Sequence, residues 1–558
     1  MSIRNNYPTV NPTLDLDFAN TRRLDPRVTF SRSSTATYYD GSKALAEQNL
    51  LLNSQTFNTT WVASSITFAT GITDPLGTTT AYTATASGAN ATVYQSVIIP
   101  ADTFTFSIYI QRVTGTGTIN LTLDGTTMTV ASVTGSWVRY TATQTLTAGT
   151  YTVGIQIVTS GDAVNIWGAQ LEQRSSASAY NVTTTSIVAN YISVLKTAAI
   201  NQPRFDVDPI TGESKGLLIE EARTNLLFFS EDASSWNNPS GVIANTNIAP
   251  DGALSADTII NPASSASHNG ANVSISESVT YTLSRYFSKQ STCDWIRLRV
   301  STAGGAASAF ANIATKTTGA IIGAFGSSFT FTDLGNYLRV SITYTPAVGD
   351  GGLRSFIWCP VSANNTATAA TDKSMIVWGA QVEAGAFPTS YFPTTNGQGV
   401  RWADNASMTG TAFSSWYNQS EGTIAVEVDY SSISTYSTVF DINDGDDPAA
   451  YRIRMIGWNN GTDRTLNVKV NNVDQVNFAN TNTIGSQKYA VCYKLNDFAA
   501  AKRGNITNIA TSGLIPNVNR MQLGSYNLTQ FYLNGHIKSI RYYPARVTNA
   551  QLQALTSI

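Results

Sequence analysis

The stretch Trp167-Gly-Ala-Gln-Leu-Glu172 recurs almost unchanged as Trp378-Gly-Ala-Gln-Val-Glu383. The agreement extends upstream, where an Asn-Leu-Leu run opens at Asn49 before the first copy and at Asn225 before the second. A tryptophan follows each run within a dozen or so residues. Landmarks that recur in one order over segments of this length indicate a duplicated domain. The duplication sets the architecture before any single residue is interpreted.

Short runs of alternating apolar and polar residues dominate the chain. Residues 103–110, 151–158 and 423–430 are examples, and they are rich in β-branched and aromatic side chains. Gly, Asn, Asp and Ser interrupt such runs at short intervals, as they do in antiparallel sandwiches. We expect an all-β protein with three β-sandwich (jelly-roll or lectin-like) domains in tandem and an extended N-terminal segment.

Composition excludes several classes of function. Charged residues make up 13% of the 558 and the net charge is −2, so the chain has no basic footprint for nucleic acid or a membrane surface. His268 and His536 are the only histidines, which argues against imidazole catalysis and His-ligated zinc. The three cysteines are widely spaced, and we expect buried free thiols. They are Cys293, Cys359 and Cys492.

The repeats and the turn-rich stretches between them divide the chain into five segments. We expect an N-terminal segment, repeat one, a connector, repeat two, and a third sandwich that lacks the Trp-Gly-Ala-Gln motif. Their bounds are 1–45, 46–182, 183–224, 225–396 and 397–558.

Helical patterns are almost absent before the last residues. Thr548 and Gln551 have the spacing of a capping box, and Leu552 and Leu555 then lie on one side of a helix. We expect a short amphipathic helix after a strand over residues 536–543.

Two phrases carry a resemblance to a known family. Residues 17–38 (DFANTRRLDPRVTFSRSSTATY) resemble the opening of many tailed-phage virion proteins, tail fibres among them. Residues 203–227 (PRFDVDPITGESKGLLIEEARTNLL) resemble the segment that follows closely in such proteins. The repeats resemble carbohydrate-binding-module-like jelly rolls. The stretch from Ser420 to Leu555 resembles concanavalin-A-like (laminin-G-like) domains.

Repeat one separates the two phrases, which lie close together in the resembled family. We hypothesise that repeat one is an insertion and that residues 196–202 resume the interrupted connector. Insertions are tolerated where the two ends are close and exposed. The hypothesis requires the N-terminal segment to contact the 183–224 connector.

Two features could carry saccharide chemistry. Trp167 and Trp378 could stack on sugars, but apolar neighbours favour a buried strand position for both. Glu427 and Asp429 match part of the Glu-x-Asp-x-Glu motif of some glucanases. Ser431 replaces the second glutamate, so the carboxylate pair of a retaining mechanism is incomplete. We expect a polar outer strand face there and no catalytic residues.

The third sandwich holds two more candidate sites. Asp441, Asn443 and Asp446 belong to an oxygen-rich stretch that could hold calcium, although the spacing is not that of an EF-hand and Asn-Asp-Gly also predicts a turn without an ion. We therefore predict no metal or other cofactor. Trp458, Asn459 and Asn460 form an expected hairpin tip that could contact a glycan or simply pack on its own hairpin. We take these three as the ligand-binding candidates.

The resemblance implies a phage virion appendage, a tail-fibre-like structural protein that binds host-surface glycans through its distal sandwiches and is not an enzyme. Segment 1–45 would attach to other virion proteins, and such appendages are commonly homotrimers. No signal peptide is visible, so we expect synthesis in the host cytoplasm and a place on the particle exterior. Two alternatives stay open: a capsid, neck or tail decoration or bracing protein that binds no glycan, and a capsular polysaccharide depolymerase.

Overall fold

The segments in which apolar and polar residues alternate form strands with one buried face. In the strand Trp295–Thr302, the side chains of Ile296, Leu298 and Val300 are buried while their neighbours are partly exposed. About 55% of the residues are in strands and about 4% in helices, so the protein is all-β as the sequence predicts. Among the described residues, no helix is long and apolar enough to cross a membrane.

The structure is a computed structural model. It describes residues 7–239, 241–260, 269–303, 305–366, 368, 370, 373–431, 436–445, 450–458, 463–480 and 483–557. The chain divides into a large unit (1–42, 193–245 and 249–558) and a small unit (43–192 and 246–248).

The N-terminal segment contributes strands to the third sandwich. Its elements are β1 (Leu14–Asp17), α1 (Phe18–Thr21), β2 (Thr29–Ser31) and the start of β3 (Ala36–Asn49). Leu14, Leu16 and Phe18 are buried in the core of that sandwich. The segment is extended, as expected, but it is built into the fold of the large unit.

The small unit contains repeat one as two five-stranded sheets around one apolar core. Their strand orders are β10-β9-β12-β7-β4 and β11-β8-β13-β6-β5. The strands are β4 (Val62–Ser64), β5 (Ile66–Ile72), β6 (Ala81–Ala86), β7 (Ala91–Ile99), β8 (Asp102–Thr114), β9 (Ile119–Thr122), β10 (Thr129–Ala131), β11 (Val138–Leu146), β12 (Gly149–Ile157) and β13 (Ala163–Glu172).

The connector follows the small unit. Its elements are β14 (Val188–Ala198), which pairs with β3, then β15 (Phe205–Val207), β16 (Ser214–Ile219) and β17 (Arg223–Asn225). β15 and β16 are strands of the third sandwich, because β16 pairs with its last strand.

Repeat two forms two six-stranded sheets in the large unit, ordered β18-β21-β28-β23-β24-β25 and β19-β20-β29-β22-β27-β26. A 3-10 turn (Ala233–Ser235) precedes them. The strands are β18 (Asn238–Pro239), β19 (Val242–Ile248), β20 (Leu254–Ile260), β21 (Asn269–Ile275), β22 (Tyr281–Ser288), β23 (Trp295–Thr302), β24 (Gly305–Asn312), β25 (Thr317–Ile322), β26 (Thr330–Asp333), β27 (Tyr337–Tyr344), β28 (Gly352–Val361) and β29 (Ser374–Ala384).

The two repeats share strand order as well as sequence. The Trp-Gly-Ala-Gln strand is β13 in repeat one and β29 in repeat two, and each lies third in its sheet beside the corresponding partners β8 and β22. The predicted duplication is therefore also a duplication of topology.

The third sandwich packs a seven-stranded sheet, β2-β31-β40-β33-β34-β35-β36, against an eight-stranded sheet, β15-β16-β41-β32-β37-β38-β39, with β1 also paired to β41. Its remaining elements are β30 (Gly399–Arg401), β31 (Asn405–Thr409), α2 (Thr411–Ser414), β32 (Glu421–Tyr430), β33 (Tyr436–Asn443), β34 (Arg452–Trp458), β35 (Asp463–Val470), β36 (Val473–Asn480), β37 (Gly485–Lys494), β38 (Asp497–Lys502), β39 (Asn505–Ala510), β40 (Arg520–Leu523), β41 (Gly535–Tyr543) and α3 (Asn549–Thr556).

The predicted C-terminal helix is confirmed. Helix α3 begins after Thr548, whose hydroxyl accepts from the backbone N–H of Gln551, and the Gln551 side chain completes the capping box. Leu552 is buried and Leu555 packs against the same cluster.

Candidate functional site

The repeated motif of repeat two holds a loop against the sheet. We call the side chains of Asn225, Gln381 and Glu383 the loop clamp of repeat two; all three are fully buried. Asn225 uses both its donor and its acceptor, and the other two hold the loop over residues 384–395. The contacts are Asn225 Nδ2 to the carbonyls of Ala380 (3.2 Å) and Phe392 (3.4 Å), the N–H groups of Leu227 (3.2 Å) and Val382 (3.1 Å) to Asn225 Oδ1, the Phe392 N–H to Gln381 Oε1 (3.2 Å), and the Thr389 N–H to Glu383 Oε1 (2.9 Å).

Repeat one has the same loop clamp, made by Asn49, Gln170 and Glu172. The corresponding contacts are Asn49 Nδ2 to the carbonyls of Ala169 (2.9 Å) and Asn181 (2.8 Å), the N–H groups of Leu51 (3.1 Å) and Leu171 (3.3 Å) to Asn49 Oδ1, the Asn181 N–H to Gln170 Oε1 (2.6 Å), and the Ser178 N–H to Glu172 Oε2 (3.0 Å). Buried polar groups that are fully hydrogen-bonded specify a single arrangement. The recurrence of Asn, Gln and Glu in the sequence is therefore explained by structure.

The motif tryptophans are buried beneath the clamped loops. Trp167 is 1% exposed and packs against Tyr109 and Tyr180; Trp378 is 2% exposed. The rings around Trp378 are those of Tyr286 and Tyr391. The interpretation of both tryptophans as buried strand residues agrees with the structure, and neither face is open to a sugar.

An ion cluster lies at the junction of three segments in the large unit. Arg32 of the first phrase and Arg204 and Glu220 of the second meet Arg401 and Asp404, which begin the third sandwich. The nitrogen–oxygen distances are 2.9 Å for Arg32–Asp404, 2.5 Å for Arg204–Asp404, 2.8 Å for Arg204–Glu220 and 3.6 Å for Arg401–Glu220. We call these five residues the ion cluster.

Mutual compensation keeps the ion cluster charged. Burial lowers the pKa of Arg204, but Asp404 and Glu220 outweigh it and the net shift is upward. Burial likewise raises the pKa of Glu220, but Arg401 and Arg204 hold it well below its ordinary value. At Arg32, burial prevails over Asp404 and the pKa is lowered. Charges taken out of water persist only when they are paired and hydrogen-bonded in this way.

The N-terminal segment contacts the connector, as the insertion hypothesis requires. The backbone N–H of Arg32 donates to Asn201 Oδ1 at 3.1 Å, and the Asn201 N–H donates to the Arg32 carbonyl at 3.0 Å. The N–H of Tyr39 donates to Asp206 Oδ1 at 2.8 Å.

Asp441 and Asn443 lie on one buried strand. Asn443 Nδ2 donates to Asp441 Oδ2 at 3.0 Å, and strand β34 brings Arg454 opposite Asp441. Burial raises the pKa of Asp441, against the opposing effect of Arg452 and Arg454. Asp446 lies outside the described residues. Within the described residues no group of three or more His, Cys, Asp or Glu side chains is arranged to hold a metal ion.

The hairpin-tip candidates fall largely outside the described residues. Asn459 and Asn460 lie outside them, and Trp458 is described only as the last backbone position of β34, opposite Tyr436. The structure therefore brings the strand of Trp458 beside that of Asp441 and Asn443.

Glu427 faces two lysines. Its carboxylate lies 3.7 Å from Lys488 Nζ and 3.7 Å from Lys538 Nζ, on the partly exposed face of β32. This is the polar outer strand face that the sequence predicts, and Asp429 follows on the same face.

A cleft of about 790 Å³ opens in the large unit. Its walls come from the N-terminal segment, the connector, repeat two and the third sandwich. Asp206 and His536 face each other there, with His536 Nε2 2.9 Å from Asp206 Oδ2. His536 is 4% exposed, and its Nδ1 has no hydrogen-bond partner within the described part of the chain.

The cleft is lined by aromatic rings and by hydroxyl side chains. Tyr39, Tyr286 and Tyr391 form a buried aromatic floor, whereas Tyr38 and Phe387 are half-buried. The rim includes the exposed side chains of Ser327, Ser328, Thr330 and Thr332.

Sequence reasoning did not find the cleft residues. Tyr38, Asp206 and Phe387 come from three segments far apart in the chain, and His536 comes from a fourth. The available signal was indirect: Asp206 belongs to the second phrase, and His536 is one of two histidines.

Comparisons with known proteins give the following. No protein-family profile matches the sequence, and no curated protein matches it. Among solved structures, the Ruminococcus gnavus IT-sialidase CBM40 bound to α2,3-sialyllactose is similar at 13% identity and a TM-score of 0.23, over 26% of this chain and 88% of that chain. The N-terminal CBM22-1–CBM22-2 tandem domain from Paenibacillus barcinonensis Xyn10C is similar at 12% identity and a TM-score of 0.20, over 62% of this chain and 99% of that chain.

Proposed function

We propose that this protein is a tail-fibre-like structural component of a tailed-phage particle, carried on the particle exterior, which contacts host-surface glycans and performs no catalysis. The observation that carries the structural part is the ion cluster. Arg32, Arg204 and Glu220 all belong to the two phrases that resemble phage virion proteins. These three residues join the N-terminal segment and the connector to the third sandwich, and their charged groups are buried.

A rigid scaffold follows from the ion cluster. Removing one partner of a buried ion pair leaves an uncompensated buried charge, so arrangements of these segments that separate the partners are disfavoured. A protein that projects from a particle gains from such rigidity. Many copies on one particle also gain avidity, so a single glycan site can be weak.

The proposal includes assembly. We propose a homotrimer that attaches to other virion proteins, with the N-terminal segment at or near the attachment surface. Light scattering after size-exclusion chromatography gives the oligomeric state.

The particle itself provides the main test. Mass spectrometry of purified virions should detect the chain, and immunogold labelling with an antibody to the small unit should decorate intact particles. Absence of the chain from purified particles contradicts the proposal.

A bracing protein without glycan binding is a second candidate, and one observation favours it. Strands β1 and β2 are built into the third sandwich, so residues 14–31 are not a free arm. A glycan array probed with the full chain separates the two candidates, because a bracing protein binds none of the saccharides. The full chain is needed because residues 397–558 lack four strands of their own sandwich.

A further inference from the structure

The cleft in the large unit has the dimensions of a small-molecule site. Its volume of about 790 Å³ falls within the range of roughly 300–1,000 Å³ that such sites occupy. Its walls differ from those of a typical apolar pocket, because hydroxyl, carboxylate and imidazole groups line it beside aromatic rings. A ligand that fits these walls combines hydroxyl groups with C–H-rich faces.

The charged groups that line the cleft are already engaged within the protein. Asp206 faces His536 at 2.9 Å, and Lys215 Nζ lies 3.7 Å from Asp208 Oδ2. Asp333 is paired with Lys289 at 2.7 Å, and Glu220 belongs to the ion cluster.

Arg339 is the cleft cation without a carboxylate partner in the described contacts. Both of its Nη atoms are used, one on the Thr389 carbonyl and one on Ser284 Oγ. Arg139 makes the same two kinds of contact in repeat one, to the Ser178 carbonyl and Ser107 Oγ. This arginine therefore belongs to the duplicated structure, and its Nη contacts hold the protein's own loop; Nε of both arginines is buried without a hydrogen-bond partner in the described part of the chain.

Several hydrogen-bonding groups of the cleft remain free. The Asp206 carboxylate accepts in its contact with His536 Nε2, which leaves Nδ1 as the second hydrogen-bonding atom of the ring. Nδ1 is buried and has no hydrogen-bond partner in the described part of the chain. A buried polar atom without a partner gains from a hydroxyl, which can donate or accept.

The rim adds groups of matching chemistry. The hydroxyls of Thr330 and Thr332 make no hydrogen bond to described residues, and both belong to β26, the edge strand of its sheet. Tyr38 and Phe387 present half-buried rings, and aromatic rings of this kind can pack against the apolar face of a ligand.

We propose that this cleft is the glycan site and that it binds a neutral saccharide, which forms a hydrogen bond through a hydroxyl to His536 Nδ1 and packs against Tyr38 and Phe387. This inference rests on the proposed function and moves its glycan site away from the hairpin tip at Trp458.

The test uses the full chain and four variants. An array of neutral and anionic bacterial surface saccharides identifies the neutral oligosaccharide with the highest signal, which is then titrated by calorimetry. Tyr38→Ala and Phe387→Ala remove the rings. His536→Gln keeps a donor for Asp206 and removes the unpartnered Nδ1. Trp402→Ala is the matched control, because Trp402 is an aromatic residue of the large unit, 54% exposed, outside the cleft lining.

We expect binding of a neutral saccharide that weakens about tenfold in each ring variant and about fivefold in His536→Gln, with Trp402→Ala equal to the unaltered protein. Thermal melting of all variants separates lost binding from lost folding, and His536→Gln reports on the cleft if a ring variant unfolds.

Three outcomes overturn the inference, and they differ in which parts of the proposed function they also contradict. Neutral-saccharide binding that persists in all three cleft variants contradicts the cleft but leaves glycan binding intact. Binding of anionic saccharides alone contradicts the proposed ligand class. Binding of no saccharide contradicts both the cleft and the glycan part of the proposed function, and leaves the place on the virion to the particle experiments.

Discussion

Arg32 and Asp404 form an ion pair of 2.9 Å in which neither side chain has exposed surface, although 372 positions separate them. The pair ties the N-terminal segment to the start of the third sandwich. Arg204 shares the same carboxylate, so Asp404 compensates two buried guanidinium groups.

Replacement of Asp404 should therefore destabilise the large unit strongly. We expect Asp404→Asn to lower the free energy of unfolding by about 3–5 kcal/mol, because Arg32 loses its counter-charge in a buried site and Arg204 keeps only that of Glu220. Denaturant titration measures the loss. The control is Asp15→Asn, which breaks the exposed pair with Arg541 and should cost at most about 1 kcal/mol. Equal effects of the two variants would show that burial of the cluster contributes nothing.

The duplicated loop clamps allow a paired test. Asn225→Ala should lower the stability of the large unit and Asn49→Ala that of the small unit, each by about 2–5 kcal/mol, because four buried backbone groups lose their partner in each case. Hydrogen exchange monitored by mass spectrometry locates the loss. The expectation fails if either variant loosens the other unit more than its own.

The motif glycines test the local backbone. Gly168 and Gly379 have φ of +64° and +56°, and the strand-pairing register shifts at both positions. An added Cβ would lie 3.3 Å from the Tyr109 ring in the first copy and 3.0 Å from the Tyr286 ring in the second.

Alanine should therefore cost about 1–3 kcal/mol at either glycine, with Gly379→Ala the more damaging. Gly335→Ala is the control for backbone strain alone, since φ there is +87° and no atom lies within 4 Å of an added Cβ. Thermal unfolding of the three variants ranks their stabilities. If Gly335→Ala is as unstable as Gly379→Ala, the contact of the added Cβ with the Tyr286 ring does not contribute to the loss.

Glu231 makes the stability of the large unit depend on pH. Burial, with a smaller contribution from Asp251, raises the pKa of the Glu231 carboxyl from 4.5 to about 7 in the folded protein. The folded state therefore binds more protons than the unfolded chain between these values, and this group's contribution to stability is lost as the pH rises from about 4.5 to about 7.

The variant Glu231→Gln removes that loss. We expect it to match the unaltered protein at pH 4 and to exceed it at pH 8 by about 1–3 kcal/mol, since the amide keeps an acceptor for the Tyr391 hydroxyl. Glu213→Gln, at a side chain that is 71% exposed, should change neither value. A Glu231→Gln variant with the same pH profile as the unaltered protein excludes this titration.

The sequence predicts the local structure well, because local structure depends on neighbours in the chain. Alternating residues predict the strands, the repeated Trp-Gly-Ala-Gln motif predicts the duplication, and Thr548 with Gln551 predicts the cap of α3. The burial of Trp167 and Trp378 follows from the apolar residues beside them.

The long-range arrangement could not be predicted in the same way. Nothing near Asp404 in the chain marks it as the partner of Arg32, and nothing in residues 14–17 marks them as a strand beside β41. The cleft is harder still, because its polar groups come from four segments and form no motif. Position in space, rather than residue type, makes His536 a candidate binding residue.

The pairing of β1 with β41 has a consequence for biosynthesis. Asp15 and Arg541 are 526 positions apart. A ribosome that adds about 5–20 residues per second therefore makes Arg541 roughly 25–100 s after Asp15. The small unit, residues 43–192 with a short later segment, can collapse much earlier in that interval. Leu14, Leu16 and Phe18 meanwhile lack the core that buries them, so the nascent chain offers chaperones and proteases an apolar segment until β41 has been made.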